Sequence, residues 1–87
     1  MAKYKLEIKK SAAKEIEHLP SRDMKAVLDK IASLADHPRP YDCIKLSSQE
    51  KYRVRCGDYR IIYSIEDDIL IVYIVDVGHR KDVYRRN

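Results

Sequence analysis

The N-terminal part of the chain has the pattern of one strand followed by a short helix. Apolar and charged side chains alternate over residues 4–8, which predicts a half-buried strand. Ser11 then offers an N-cap hydroxyl before a run of good helix formers. We expect this helix to stop at Leu19, because the residue before Pro20 avoids the helical backbone conformation.

A second, longer helix is predicted between Ser21 and the His37-Pro38 pair. Ser21 can act as its N-cap, and Asp23 in the first turn suits the positive end of the helix dipole. Apolar residues recur every three or four positions and form one stripe, which predicts a face buried in the core. The stripe consists of Met24, Val27, Leu28, Ile31, Leu34 and Ala35.

The rest of the chain has the pattern of antiparallel strands joined by tight turns. The predicted strands are residues 44–46, 51–56, 59–65 and 69–77, with turns at 57–58 and 66–68. The last strand is almost wholly apolar, so we expect it to be covered on both faces. The order strand, helix, helix and then an antiparallel meander of three to four strands predicts a two-layer α+β domain.

Composition limits the class of protein further. A length of 87 residues fits a single domain, residues 1–87, and the hydrophobic fraction of 45% is typical of a globular protein. The longest apolar run, residues 69–75, is much shorter than the roughly 20 residues of a membrane-spanning helix. The N-terminus lacks an apolar export signal, which predicts a cytoplasmic protein with no membrane partner. Cys43 and Cys56 are then expected to be structural free thiols, and no zinc motif is formed with the three histidines.

The basic residues are clustered, although the formal net charge is only +4. One cluster comprises Lys51, Arg53, Arg55 and Arg60, and the other comprises Arg80, Lys81, Arg85 and Arg86. Such patches are typical of a surface that faces a polyanion. On composition alone, a solvated surface with a chance cluster is an equal alternative.

The strand pattern predicts that several of these arginines share one face of the sheet. Alternation places Arg53 and Arg55 on the same side, and Arg60 follows on the neighbouring strand. Arg80 follows the last predicted strand, and Tyr84 lies four residues further. Guanidinium groups bind phosphate and a tyrosine can stack on a base, which favours RNA or phosphate binding over a passive polar face.

Two segments carry a family resemblance. Residues 51–63 read Lys-Tyr-Arg-Val-Arg-Cys-Gly-Asp-Tyr-Arg-Ile-Ile-Tyr, and residues 75–84 read Val-Asp-Val-Gly-His-Arg-Lys-Asp-Val-Tyr. Together with the helical hairpin, they resemble the RelE/ParE toxin superfamily, in particular its RelE-like branch. The resemblance implies a RelE-like fold and a ribosome-dependent mRNA endonuclease, the toxin of a type II toxin-antitoxin system. It implies a cognate antitoxin, the ribosome and A-site mRNA as partners, and neither a metal nor a small-molecule cofactor.

The resemblance also assigns roles to individual residues. It implies that the ribose 2′-OH attacks the adjacent phosphate, leaving a 2′,3′-cyclic phosphate and a 5′-OH. Arg60 would stabilise the transition state, Arg80 would assist the leaving oxygen, and Tyr84 would stack on or orient the nucleotide. Arg53 would grip the RNA backbone, and we expect the charges of Lys51 and Arg85 to add to RNA binding.

The group that removes the 2′-hydroxyl proton is left open by the sequence. Arg55 occupies a position where several family members have lysine, and a guanidinium with a pKa above about 12 cannot accept a proton. His79 is the nearby side chain that titrates near neutral pH, so it is either the catalytic base or a turn residue at the end of a strand.

Two other functions are compatible with the same resemblance. One is a ParE-like poison of DNA gyrase that acts by protein binding, and the other is an inactive relative that binds only its antitoxin. In each case we expect the antitoxin to lie over the helix of residues 24–34 or near residues 80–84.

Overall fold

The computed structural model describes residues 3–46 and 50–79. Its elements are β1 (Lys5–Ile8), α1 (Lys10–Glu17), α2 (Ser21–Asp36), β2 (Ile44–Lys45), β3 (Lys51–Cys56), β4 (Tyr59–Glu66) and β5 (Ile71–His79). The predicted α+β class and the predicted order of elements are confirmed. None of the helices in the described residues is both long and apolar enough to cross a membrane.

The strands form one five-stranded sheet in the order β1-β5-β4-β3-β2. The last four strands make the predicted antiparallel meander, with neighbours joined in chain order. β1 is added at the other edge, where it runs parallel to β5. A parallel pair needs a long crossover connection, and the chain from β1 to β5 includes both helices.

Both helices pack on one face of this sheet and bury their apolar stripes there. The core comprises Ala12 and Ile16 of α1, Val27, Ile31 and Leu34 of α2, and Val54, Ile61, Tyr63, Val72, Ile74 and Val77 of the sheet. The stripe predicted for α2 is therefore confirmed for most of its members. Leu28 is an exception, because it lies at the edge of the stripe and is 41% exposed.

The predicted N-caps are wrong. Ser11 lies inside α1, which begins at Lys10 with Lys9 as its N-cap, and no side chain caps it. Ser21 is likewise the first helical residue of α2, whose N-cap is Pro20 in an extended conformation. Relative to a hydroxyl cap at the predicted serine, α1 begins two residues earlier and α2 begins one residue earlier.

The prediction that the last strand is covered on both faces is also wrong. Ile69 and Leu70 are exposed in the preceding turn, where Leu70 has a φ of 54°, and the strand begins only at Ile71. The helices cover one face of β5, and most side chains on the other face are half-buried. The long apolar run thus reflects a central position in the sheet, with neighbouring strands on both sides.

A β-bulge in β5 changes which of its residues face the helices. The register against β4 shifts between Ile62 and Tyr63, whose partners are Asp76 and Ile74. Val75 is therefore an extra residue in β5. Because side chains alternate along a strand, one extra residue reverses the faces of all positions that follow it.

Polar contacts fix the loop between α2 and β2 to the rest of the domain. The buried Tyr63 hydroxyl donates to the Pro38 carbonyl oxygen at 2.7 Å. The Arg39 guanidinium donates to both carboxylate oxygens of Asp67 in the β4–β5 turn, at 3.2 and 2.8 Å. The Tyr4 hydroxyl also donates to Asp67, at 2.8 Å. This loop leads directly into β2.

Candidate nucleic-acid interface

Three arginines lie together on the face of the sheet that the helices leave uncovered. Val54 points into the core, so its neighbours Arg53 and Arg55 point to the opposite side of β3, as the alternation predicts. Arg55 is directly opposite Arg60 of β4, and Arg53 is opposite Ile62. The structure thus brings Arg53, Arg55 and Arg60 to one surface.

These arginines line a cleft of about 450 Å³. The residues that line it are Asp42, Ile44, Arg53, Arg55, Gly57 and Arg60. Three guanidinium groups against one carboxylate give this cleft a positive charge. Guanidinium groups form paired hydrogen bonds to phosphate oxygens, so the cleft suits a phosphodiester backbone.

Arg60 differs from the other arginines in its burial. It is 4% exposed, whereas Arg55 is an exposed residue on the neighbouring strand. Charges in a partly desolvated position interact more strongly than charges in water, and a packed side chain needs little reorganisation on binding. Arg60 is therefore suited to stabilise charge that develops on a phosphate, and Arg55 is suited to first contact with it.

Asp42 also lines the cleft, although no pattern in the sequence predicts it there. It lies in the loop before β2, two residues ahead of Ile44, which is opposite Arg53. Its carboxylate oxygen Oδ2 accepts a hydrogen bond from Lys30 Nζ of α2 at 3.2 Å. A two-residue strand such as β2 carries too little periodicity to show in the sequence which side chains it places in a cleft.

His79 lies on the other side of the sheet from the arginines. It follows the bulge, shares the helix side with the buried Val77, and is opposite Tyr59 of β4. The two rings meet edge to face with centroids 5.5 Å apart. The Tyr59 hydroxyl donates to Asp23 of α2 at 3.0 Å, which shows that this pair faces the helices.

A second cavity, of about 320 Å³, surrounds His79 on that side. It is lined by Asp23, Ala26, Cys56, Gly57, Asp58, Tyr59 and His79. Burial raises the pKa of the Cys56 thiol, which disfavours the reactive thiolate and agrees with a structural role. The structure therefore does not bring His79 into the arginine cleft.

The remaining predicted site residues divide into two groups. Lys51 begins β3 on the same face as Arg53, beyond the residues that line the cleft. Arg80, Tyr84 and Arg85 lie outside the described residues. Within residues 3–46 and 50–79, no group of three or more His, Cys, Asp or Glu side chains could hold a metal ion.

The chain is thus a small α+β domain with a basic cleft on one face of its sheet. A model of the family described as the ParE toxin of the type II toxin-antitoxin system parDE matches residues 6–84. The chain belongs to this family of type II toxins.

Relatives named RelE and RelG resemble the chain over nearly its whole length. Toxin RelG of Mycobacterium tuberculosis is 31% identical over 85 residues, which cover 95% of this chain and 98% of RelG. The RelE-RelB complex of Pyrococcus horikoshii OT3 contains a chain that matches with a TM-score of 0.81 and 31% identity, covering 90% of this chain and 96% of that one. A chain of the RelBE2 complex of Mycobacterium tuberculosis matches with a TM-score of 0.81 and 28% identity, covering 92% of this chain and 94% of that one. The expected resemblance to the RelE/ParE superfamily is confirmed.

Proposed function

We propose that this toxin is a ribosome-dependent mRNA endonuclease that inhibits translation by cutting mRNA in the ribosomal A site. The observation that carries the proposal is the cleft in which the buried Arg60 lies beside the exposed Arg55 and the half-buried Arg53. This arrangement provides both a binding surface for the RNA backbone and a preorganised cation for the reacting phosphate. The RelE and RelG names of relatives that match almost end to end support the same function.

The proposed reaction is attack of a ribose 2′-OH on the adjacent phosphate, without a metal ion. Negative charge grows on the phosphate oxygens in the transition state, and Arg60 stabilises that charge from the floor of the cleft. Arg53 and Lys51 hold the RNA backbone, and Arg55 acts on it electrostatically. By resemblance, Arg80 assists the leaving 5′-oxygen, Tyr84 orients the nucleotide and Arg85 adds to RNA binding; these three roles fall on residues outside the described ranges.

The structure favours the structural role for His79 over the catalytic one. Its ring packs on Tyr59 on the helix side of the sheet, whereas the arginines line the opposite side. Arg55 cannot take the proton either, because a guanidinium stays charged at any physiological pH. We therefore propose that a third group accepts the proton.

We further propose that a cognate antitoxin binds this chain and neutralises it by covering the arginine cleft or the exposed side of α2. The relatives from Pyrococcus horikoshii and Mycobacterium tuberculosis were solved as toxin-antitoxin complexes. On α2, Leu28 is exposed next to the buried stripe and offers an apolar contact for an added helix.

A ParE-like gyrase poison is the second candidate, because the matching family is described by its ParE members. The endonuclease and the gyrase poison differ in whether they require the cations of the cleft. A poison that acts by protein binding needs no cation for a reacting phosphate, so the loss of the Arg60 guanidinium would leave its toxicity intact.

Induced expression in a bacterial host tests the proposal. We expect growth to stop, translation to fall and mRNA ends to map within codons. Arg60→Met keeps an apolar stem of similar length but removes the guanidinium, and it should abolish both toxicity and mRNA cleavage. Arg22→Met changes an exposed arginine on α2 and should remain fully toxic. Growth arrest by Arg60→Met with intact mRNA would favour the gyrase poison instead.

A further inference from the structure

The cleft contains a group that can accept a proton, and the inference drawn from it rests on the proposed endonuclease function. Removing the 2′-hydroxyl proton is a necessary part of that reaction. Of the described residues that line the cleft, three are arginines, while Ile44 and Gly57 have no basic side-chain atom. The remaining lining residue is Asp42, whose carboxylate can accept a proton.

We propose that the Asp42 carboxylate takes the proton from the attacking 2′-hydroxyl. As the proton moves to the carboxylate, the 2′-oxygen forms a bond to phosphorus and the bond from phosphorus to the 5′-oxygen breaks. The departing 5′-oxygen receives a proton from water, and Asp42 later returns its own proton to the solvent. The products are a 2′,3′-cyclic phosphate and a 5′-hydroxyl, and no other reactant is consumed.

Asp42 lies in the turn before β2, at the edge of the sheet, where it lines the cleft and also contacts Lys30 of α2. Ile44, which begins β2 two residues after Asp42, is opposite Arg53 of β3. Arg55 is in turn opposite Arg60. A phosphodiester in the cleft can therefore meet both the Asp42 carboxylate and the buried Arg60.

The contact with Lys30 holds the Asp42 carboxylate in place but occupies only part of its capacity to accept hydrogen bonds. Lys30 Nζ donates to Oδ2 at 3.2 Å, and the two side chains are 27% and 42% exposed. An ionised carboxylate offers about four acceptor positions, so one contact with Lys30 leaves capacity for the hydroxyl. The loop that carries Asp42 is fixed by the hydrogen bond from Tyr63 to Pro38. Lys30 acts here as a positioning residue.

Asp42→Asn tests the proposal because it preserves the shape of the side chain and an oxygen for Lys30 but cannot accept the proton. We expect single-turnover cleavage of ribosome-bound mRNA to slow by about 100-fold or more, with unchanged co-sedimentation with ribosomes. Asp29→Asn is the matched control, because Asp29 has the same 3.2 Å contact with a lysine, Lys25, on the surface of α2. Its cleavage rate should equal that of the wild type.

A rescue experiment separates a proton acceptor from a merely structural carboxylate. In Asp42→Gly, added formate can occupy the vacated position, and we expect it to restore cleavage, whereas sodium chloride at equal ionic strength should not. A full cleavage rate in Asp42→Asn, or a slow Asp42→Gly that formate does not restore, would overturn the role of Asp42 while leaving the endonuclease function intact. If the wild type itself cuts no ribosome-bound mRNA, the proposed function fails first and this role with it.

Discussion

Arg55 and Arg60 are directly opposite each other in the β3–β4 hairpin, yet Arg55 is exposed and Arg60 is 4% exposed. The pair therefore places one cation where a polyanion first arrives and another where water is largely excluded. Exposed charges act over distance and are screened by salt, whereas a buried charge acts strongly at short range. This difference predicts separate effects of the two residues on binding and on catalysis.

The exposed arginine should contribute mainly to binding. We expect Arg55→Ala to weaken ribosome association and to reduce the slope of log affinity against log salt by about one, because one fewer counterion is released. Co-sedimentation with ribosomes over a series of salt concentrations measures this slope. Arg22→Ala on α2 is the control, and an equal reduction in both variants would show that the effect is one of net charge alone.

Replacing His79 should have little effect on the reaction. His79→Phe preserves a ring against Tyr59, with which His79 makes an edge-to-face contact, but it cannot accept a proton. Since the sheet separates this ring from the arginine cleft, we expect a single-turnover cleavage rate within about threefold of the wild type. A cleavage rate that falls by about 100-fold, the usual effect of losing a general base, would show that His79 is the proton acceptor.

The hydrogen bond from Tyr63 to Pro38 should contribute measurably to the stability of the domain. The Tyr63 ring is fully buried, and burial raises the pKa of its hydroxyl, so the group remains protonated and donates to the Pro38 carbonyl. Tyr63→Phe should lower the free energy of unfolding by about 1–2 kcal/mol, because the carbonyl loses its partner. Urea unfolding measures the change, and Tyr41→Phe, at a fully exposed position, should leave stability unchanged.

The contact between Arg39 and Asp67 predicts a dependence of stability on pH. Hydrogen bonds from Arg39 and Tyr4 lower the pKa of Asp67 below its ordinary value of 3.8. The stabilising contribution is therefore fully present above that pH and is lost as the pH falls through the lowered pKa. Both partners of this ion pair are about half exposed, so the effect should be small.

Thermal unfolding of Asp67→Asn checks this prediction. The variant should unfold at a lower temperature than the wild type near neutral pH, and the two curves should converge in acid, below the ordinary aspartate pKa of 3.8. Asp68→Asn, in the same exposed turn, provides the comparison. A difference for Asp67→Asn that persists unchanged at low pH would contradict an origin in the ionised carboxylate.

Alternation of side chains was sufficient to predict the part of the site that lies on β3. In a regular strand, alternate residues point to the same face, so Arg53 and Arg55 could be assigned to one face of the sheet. The core stripe of α2 could be assigned from its helical spacing. The α+β architecture followed from the order of these patterns. The error at Leu28 arose because a residue at the edge of an apolar stripe can be left exposed.

The positions of His79 and Asp42 could not be predicted in the same way. The extra residue Val75 reverses the alternation of side chains within β5. No residue in this apolar segment indicates the bulge in the sequence. Without it, His79 would lie on the side of the arginines. Asp42 reaches the cleft through a loop that is set by tertiary contacts, including its hydrogen bond with Lys30.

The central claim is that Arg60 stabilises charge on a phosphate undergoing cleavage, and single-turnover cleavage of ribosome-bound mRNA by Arg60→Met tests it most directly. The guanidinium acts in the transition state, so we expect the rate to fall by about 100- to 1,000-fold while co-sedimentation with ribosomes changes little. The wild-type product should carry a 2′,3′-cyclic phosphate, and Arg22→Met should cleave at the wild-type rate. A wild-type rate of cleavage in Arg60→Met would contradict this account.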